Sequence, residues 1–429
     1  MSVGEAERPL KIAVVYSRLP FPMMRGDQVT IAHLLSFLAK RGHDVDLYTL
    51  DVDGDFTPEQ RRWLEGASRQ LRIYDQGPLH FGVGLLGSLF RLNPLQVGIF
   101  QNRRLERDLA RAIGSGCYDV VYCYYVRSAP AIPRWFRPNH ATQLGGRRTA
   151  AFLAMQLSQT LNTGRMAQNS HGLTRRLIYR IETRLMRRFE ARVWRRFTKV
   201  MLIGPKDVEA VAAACEAEGQ PMISNWLYGA HGTDVEVFRP ALSDDVIPNR
   251  LVFSGSMVYE PNVQAVLWFY NNCWPELKRV RPDLEWLIVG RDPVSEIRAL
   301  QAADGITVTG TVHDVGEYIR SAAVCVNPML AAGGMQNKLL EYLASAKAVV
   351  ASTVANEGIM APPGVLRIAD EPNDVVDAVL ELLQNRVVAD QLGERARSFV
   401  LEHWTWEAHF EVLERNFYDA VSGQVARSD

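Results

Sequence analysis

The sequence of 429 residues predicts an α/β protein of two domains, each built on a parallel sheet. Three observations carry that expectation. Short apolar runs alternate with helical segments from the start of the chain, and the same alternation restarts near residue 250. Between the two halves, VFRPALSDDVIPN (237–249) holds two prolines and an acidic pair and has no periodicity, as a linker does. Strand, helix and strand in quick succession mark right-handed parallel crossovers. A chain of this length is comfortable as two cores.

In the first half, KIAVVY (11–16) is a strand. A proline-rich turn follows and ends near Gly26, then VTIAHLLSFLAKRG (29–42) spaces Ile31, Leu34, Leu35 and Leu38 as one helix face. DVDLYTL (44–50), YDVVYCYYV (118–126) and KVMLIG (199–204) are further strands. In the second half the strands are RLVFSGS (250–256), LEWLIVG (284–290), ITVTG (306–310), AVCVNP (323–328) and AVVAST (348–353). A helix from Asn262 runs through VQAVLWFYNNCWPELKRV, and KLLEYLA (338–344) is another. The domains are expected at 1–240 and 241–400. An amphipathic final helix (about 404–420) lies within a segment, 401–429, expected to pack back on the first domain.

Apolar residues are 47%, charged residues 22%, and the formal charge is zero, so bulk charge points to neither nucleic acid nor membrane. The odd count of five cysteines, none at C-x-x-C or zinc spacing, reads as free buried thiols. The N-terminus has no signal-like apolar stretch, and no run reaches the roughly 20 apolar residues of a membrane span. The expected location is cytoplasmic. The nine histidines show no metal spacing, and the Asp51–Asp55 segment lacks the Gly and Glu positions of a calcium loop, so no metal and no cofactor are expected.

Doubly wound sheets bind ligands at the carboxyl ends of their strands. Four segments there stand out. Gly26 lets a helix N-terminus approach an anion, or forms only a tight turn. Gly255–Ser256 could serve a diphosphate or be a simple strand-to-helix loop. Arg291, directly after a strand and Gly290, could pair with phosphate or with a nearby carboxylate. The strongest is Asn327 to Glu341 (NPMLAAGGMQNKLLE): Gly333 and Gly334 permit close backbone approach, and Lys338 with the helix N-terminus supplies positive potential. Glu341, three residues on and on the same face, can accept both hydroxyls of a ribose. The competing reading is a solvated Lys–Glu pair.

At this point the sequence resembles the retaining glycosyltransferases of family 4, which have the GT-B fold of two Rossmann-like domains. The similarity is carried by KIAVVYSRLPFPMMRGDQVTIAHLLSFLAKRGHDVDLYT, YGAHGTDVEVFRP, LVFSGSMVYEPNVQAVLWF, LEWLIVGRDP, VTGTVHDVGEYIRSAAVCVNP and GGMQNKLLEYLASAKAVVASTVANEGI. The subgroup most like it assembles exopolysaccharides and lipid-linked oligosaccharides. The resemblance implies a cleft between the domains, a UDP- or GDP-sugar donor, a saccharide or lipid-diphosphate-saccharide acceptor, and metal-independent transfer with retention. It implies that Glu341 holds the donor ribose, that Lys338 lies by the diphosphate, that Gly26 closes over the donor phosphates, and that Arg127 (YYVRSAP) faces the acceptor. The departures are specific. The first Glu of the family's E-x7-E motif is Gly333. Ser256 and Met257 stand where a phosphate-binding Arg is usual, leaving that charge to Arg291 or Lys338. SQTLN (158–162) replaces the usual acidic or His neighbourhood. The alternatives are an inactive binding or regulatory subunit of the same shape, or a nucleotide-sugar epimerase, for which an acid/base constellation is missing.

Residues 174–199 hold ten Lys or Arg and two Glu, with Ile178, Ile181, Leu185, Phe189 and Val193 in one helical stripe. This reads either as a helix docked on the first domain with a solvated basic face, or as a peripheral contact with an anionic membrane. Nucleic acid is not expected, since no reading motif accompanies the charge.

Overall fold

A computed structural model of the chain describes residues 8–23, 26–52, 54, 56–138, 149–169, 173–229, 232–242, 245–331 and 335–422. The chain forms two compact units, Met1–Ala230 with His409–Asp429, and His231–Ala408.

In the first unit, strands β1 (Lys11–Tyr16), β2 (Asp44–Asp51), β3 (Gln70–Asp75), β4 (Val120–Tyr124), β5 (Ala150–Gln156), β6 (Lys199–Leu202) and β7 (Trp226–Tyr228) form one sheet in the order β3-β2-β1-β4-β5-β6-β7. Each neighbouring pair runs parallel. β4 and β5 are buried along their whole length, so each is a continuous apolar run rather than an alternating one, although the sequence reading named only β4. The final helix, Trp406–Ser422, lays Phe417 edge-on against Phe152 (4.8 Å) and sets Phe410 5.5 Å from Phe37. Glu414 is held there by Arg41 (2.8 Å) and His43 (2.8 Å).

The second unit contains β8 (Arg250–Ser254), β9 (Glu285–Val289), β10 (Ile306–Gly310), β11 (Val324–Asn327), β12 (Ala348–Ala351) and β13 (Arg367–Ile368), again all parallel, in the order β10-β9-β8-β11-β12-β13. Each sheet reverses its strand order once, between β1 and β4 in the first and between β8 and β11 in the second. Two such units are the GT-B type of α/β architecture.

Several elements differ from the sequence reading. Residues 118–126 are not one strand: pairing stops at Tyr124, Tyr125 takes φ 71°, and Val126–Ala131 is a 3-10 turn. The helix after Asn262 is two, Glu260–Asn272 and Trp274–Val280, because Pro275 has no N–H to continue the first. The segment 237–249 is fastened to the second unit. The carbonyl of Phe238 accepts from Arg397 (2.8 Å), and Ile247 N donates to Ser321 O (3.0 Å). Four cysteines are buried but Cys117 is exposed, at the turn after the helix Arg103–Gly114. Among the described residues, no helix is long and apolar enough to cross a membrane.

The basic segment is the helix Leu173–Val193. Its two acidic residues each cap another helix. Glu182 accepts from Leu95 N (2.8 Å) and Gln96 N (3.1 Å), and Glu190 accepts from Gln159 N (2.6 Å) and Ser158 Oγ (2.9 Å). The apolar stripe divides. Leu185 and Val193 are buried, while Ile178 and Ile181, with Leu177 beside them, stay exposed next to Arg175, Arg176, Arg180 and Arg184.

Candidate functional site

In the second unit, the loops after four successive strands meet at the carboxyl edge of the sheet, where the strand order reverses. They enclose a cavity of about 560 Å³. Its wall takes Gly255 and Ser256 from the β8 loop, Gly290 and Arg291 from the β9 loop, and Lys338 and Glu341 from the helix Asn337–Ala344. Five of the residues singled out in the sequence are thus brought together: Gly255, Ser256, Arg291, Lys338 and Glu341. Gly333 and Gly334 lie outside the described residues.

The floor is a tight backbone crossing. Gly255 N donates to Val289 O (2.9 Å) and Met257 N to Arg291 O (3.0 Å). A Cβ on Gly290 would stand 1.7 Å from the Gly255 carbonyl oxygen, backbone against backbone. A Cβ on Gly255 would stand 2.6 Å from Asn262 Nδ2 and 3.3 Å from Lys338 Nζ. The two glycines therefore let the β8 and β9 loops lie side by side under the cavity. Gly290→Ala is expected to cost about 2–4 kcal/mol in urea denaturation. Arg291→Ala, at an exposed side chain with no partner among the described residues, should stay within about 0.5 kcal/mol.

Lys338 is the charged centre. The residue is only 9% exposed, and its ammonium donates to Asn262 Oδ1 and lies 4.3 Å over the Phe253 ring and 3.7 Å from Met329 Sδ. Asn262 is fixed in turn, its Nδ2 donating to Ser256 O (3.0 Å). Burial pushes the Lys338 ammonium down to about 7, against the pull of Glu341. Burial likewise pushes the Glu341 carboxyl up to about 7, against Lys338. Glu341 is part-buried, and no hydrogen bond or ion pair holds its carboxylate among the described residues. The Lys–Glu pair is therefore not a solvated surface pair. It is a desolvated cation and a free carboxylate facing one cavity, an arrangement that gains most when an anion and hydroxyl donors enter.

The sequence reading missed Thr311, Val312 and Val315, which close the cavity from the β10 side. The signal was local: Gly310 turns with φ 67°, and Asp314 caps the next helix by accepting from Gly316 N (2.7 Å). It missed Tyr342 as well, whose hydroxyl accepts from Ser254 N (2.6 Å) and pins the end of β8.

Gly26 and Arg127 belong to the first unit and its own carboxyl edge. Gly26 opens the helix Gly26–Lys40, and a Cβ there would meet nothing within 4 Å, so the fold itself does not demand glycine. The adjacent Asp27 accepts from Tyr16 OH (2.8 Å). Arg127 follows β4, its guanidinium 4.5 Å from the Tyr125 ring and 4.6 Å from the Phe100 ring, with Nε buried and unbonded. The left-handed Tyr125 places it there.

Fold and site together define a two-domain Rossmann-like protein with a cavity at the switch point of the second sheet. Residues 248–385 match the family model described as glycosyl transferases group 1. Along its length the chain is similar to an uncharacterised 44.6 kDa protein in the cps region of Klebsiella pneumoniae, 22% identical over 410 residues, covering 92% of this chain and 96% of that one. Among solved structures, sucrose-phosphate synthase from Thermosynechococcus elongatus aligns with a TM-score of 0.62 at 17% identity, over 96% of this chain and 100% of that one. Anabaena HepE in complex with UDP aligns with a TM-score of 0.60 at 12% identity, over 96% and 100%.

Proposed function

We propose that the chain is a glycosyltransferase that takes a UDP- or GDP-sugar in the pocket of the second unit and transfers the sugar, with retention, to a saccharide or lipid-diphosphate-saccharide acceptor in polysaccharide assembly. The observation that carries this is the desolvated Lys338 beside the unpaired Glu341 on the wall of one cavity. Lys338 and the exposed Arg291 take the diphosphate, with the backbone of Gly255 and Ser256 around it. Glu341 takes the ribose hydroxyls. The family match over 248–385, the cps-region relative and the UDP complex of HepE support the reading.

The chemistry rests on charge and position. As the sugar–phosphate bond breaks, negative charge grows on the diphosphate, and Lys338 and Arg291 stabilise it in a low-dielectric pocket. The departing phosphate oxygen accepts the acceptor's hydroxyl proton on the same face, so the reaction needs no enzyme nucleophile, metal or resident cofactor. Arg127 and Gly26 in the first unit serve the acceptor and the donor phosphates.

A thermal-shift screen with UDP, GDP and their sugars tests the donor site. One nucleotide class at about 100 times its Kd should add about 2.7 kcal/mol to stability. If no nucleotide shifts the transition, the proposal is wrong. Binding without turnover would assign the chain to the inactive-subunit alternative.

The exposed half of the helix Leu173–Val193, with its arginines and Leu177, Ile178 and Ile181, is the proposed contact with an anionic membrane, giving a peripheral location on its cytoplasmic face. At about 1 kcal/mol per well-placed Arg, the chain should cosediment with phosphatidylglycerol vesicles at low salt and release at high salt. No cosedimentation at low salt removes this part.

A further inference from the structure

The first sheet reverses its strand order between β1 and β4, and a crevice at the carboxyl edge belongs to such a point. Arg18 follows β1 there, and Arg127 follows β4. Both guanidiniums lie over one ring, Phe100, at 5.6 Å and 4.6 Å from its centroid. Among the described residues neither donates a hydrogen bond, and the Nε of each is buried. Arg18 is the sharper case. The residue is only 9% exposed, and Asp27 stands 3.9 Å from its Nε, beyond hydrogen-bond reach. A guanidinium is a fork of N–H donors, and burying them unpaired is costly. Stacking on Phe100 uses none of them.

The chain fixes both side chains in place. The Arg18 carbonyl accepts from Thr49 Oγ1 (2.5 Å), and the Gln28 amide donates to Leu19 O (3.1 Å) and Phe21 O (2.9 Å), so the loop after β1 is pinned from two strands' ends and one helix. Past β4, Tyr125 takes φ 71°, and Ser128 Oγ donates to Tyr124 O (2.8 Å), closing the turn that carries Arg127. Tyr125 is held in turn by Gln159, whose Nε2 donates to its hydroxyl (3.1 Å). Two donor forks held on an apolar ring suit a compact, planar oxyanion.

Charge selects among oxyanions. Arg18 and Arg127 bring two positive charges, and Asp27, which accepts from Tyr16 OH (2.8 Å), brings one negative charge. The balance of one positive charge is met by a carboxylate. A phosphate dianion or a diphosphate would bring its extra negative charge up against Asp27.

We propose that Arg18 and Arg127 together bind the carboxylate of an acidic sugar, so that the acceptor saccharide presents a hexuronic acid residue to this edge. That the sugar is an acceptor rests on the glycosyltransferase reading; the affinity of the edge for a uronate does not.

Saturation-transfer NMR titrations of the full chain test this with glucose, glucuronic acid and glucose 6-phosphate, which share a ring and differ in charge at one carbon. Glucuronic acid should bind about tenfold or more tighter than glucose, and tighter than glucose 6-phosphate. R127M should bring glucuronic acid to within about twofold of glucose. Its urea midpoint should not move, because Arg127 donates no hydrogen bond among the described residues. R18M should have the same effect on affinity, with urea denaturation checking its fold. D27N keeps an acceptor for Tyr16 OH but removes the negative charge, so it should turn the preference toward glucose 6-phosphate. Glucuronic acid bound no tighter than glucose by wild type, or as tightly by R127M as by wild type, overturns the proposal. Glucose 6-phosphate bound tighter than glucuronic acid by wild type, and lost in R127M, would assign the edge to a phosphate and overturn it too. UDP titrated into the same wild-type sample keeps the two readings apart. Uronate binding without UDP binding upholds this site and counts against the donor pocket, and UDP binding without uronate binding does the reverse.

Discussion

Glu341→Ala should weaken binding of the donor nucleotide about 100-fold or more, because two hydroxyl–carboxylate hydrogen bonds, each worth about 1.5–3 kcal/mol, are lost at once. The fold should survive. The carboxylate holds no hydrogen bond or ion pair among the described residues, and burial already disfavours its charged form. Calorimetric titration with UDP and GDP checks the affinity, and urea denaturation checks the fold. An affinity within threefold of wild type would show that Glu341 does not meet the ribose.

Lys338→Ala is expected to lower kcat by about 10²–10³, the size of effect seen when one preorganised charge donor to a transition state is removed. Its pH signature is sharper than its magnitude. In the empty pocket burial holds the ammonium near 7. A bound diphosphate favours the charged form, so binding takes up a proton above that pH, and affinity falls as pH rises from 7 toward 9. Glu341 acts with the opposite sign. Ribose hydroxyls favour its ionised form, so binding releases a proton below about 7, and affinity falls as pH drops. The affinity profile should therefore peak near neutrality, with each limb steepening toward about tenfold per pH unit. K338M should lose the alkaline limb, and E341Q the acid limb. A flat wild-type profile from pH 6 to 9 would mean that neither group meets the ligand.

Much of this site was legible before the structure, for physical reasons that can be named. Parallel strands buried on both faces leave continuous apolar runs, so β1, β8, β9 and β11 stood out, and the loops at their carboxyl ends followed from topology. Lys338 and Glu341 were legible because a spacing of three puts them on one helical face. The desolvation of that pair was not, because it depends on Phe253, Asn262 and Met329, which only the fold delivers to Lys338. The edge strands β7 and β13 were too short for any pattern to register. Tyr125 shows another limit. It sits within an apolar run, and its positive φ ends the strand for the sake of the turn carrying Arg127.

The central claim is that the cavity of the second unit grips a nucleoside diphosphate by its charged end and its ribose together. A crystal structure of the chain with the nucleotide that stabilises it most is the direct measurement. Diphosphate oxygens are expected at about 3 Å from Lys338 Nζ, with the ribose hydroxyls on the Glu341 carboxylate. Nucleotide bound outside the space between Gly255, Arg291 and Lys338, or seated there with its ribose turned away from Glu341, would contradict it.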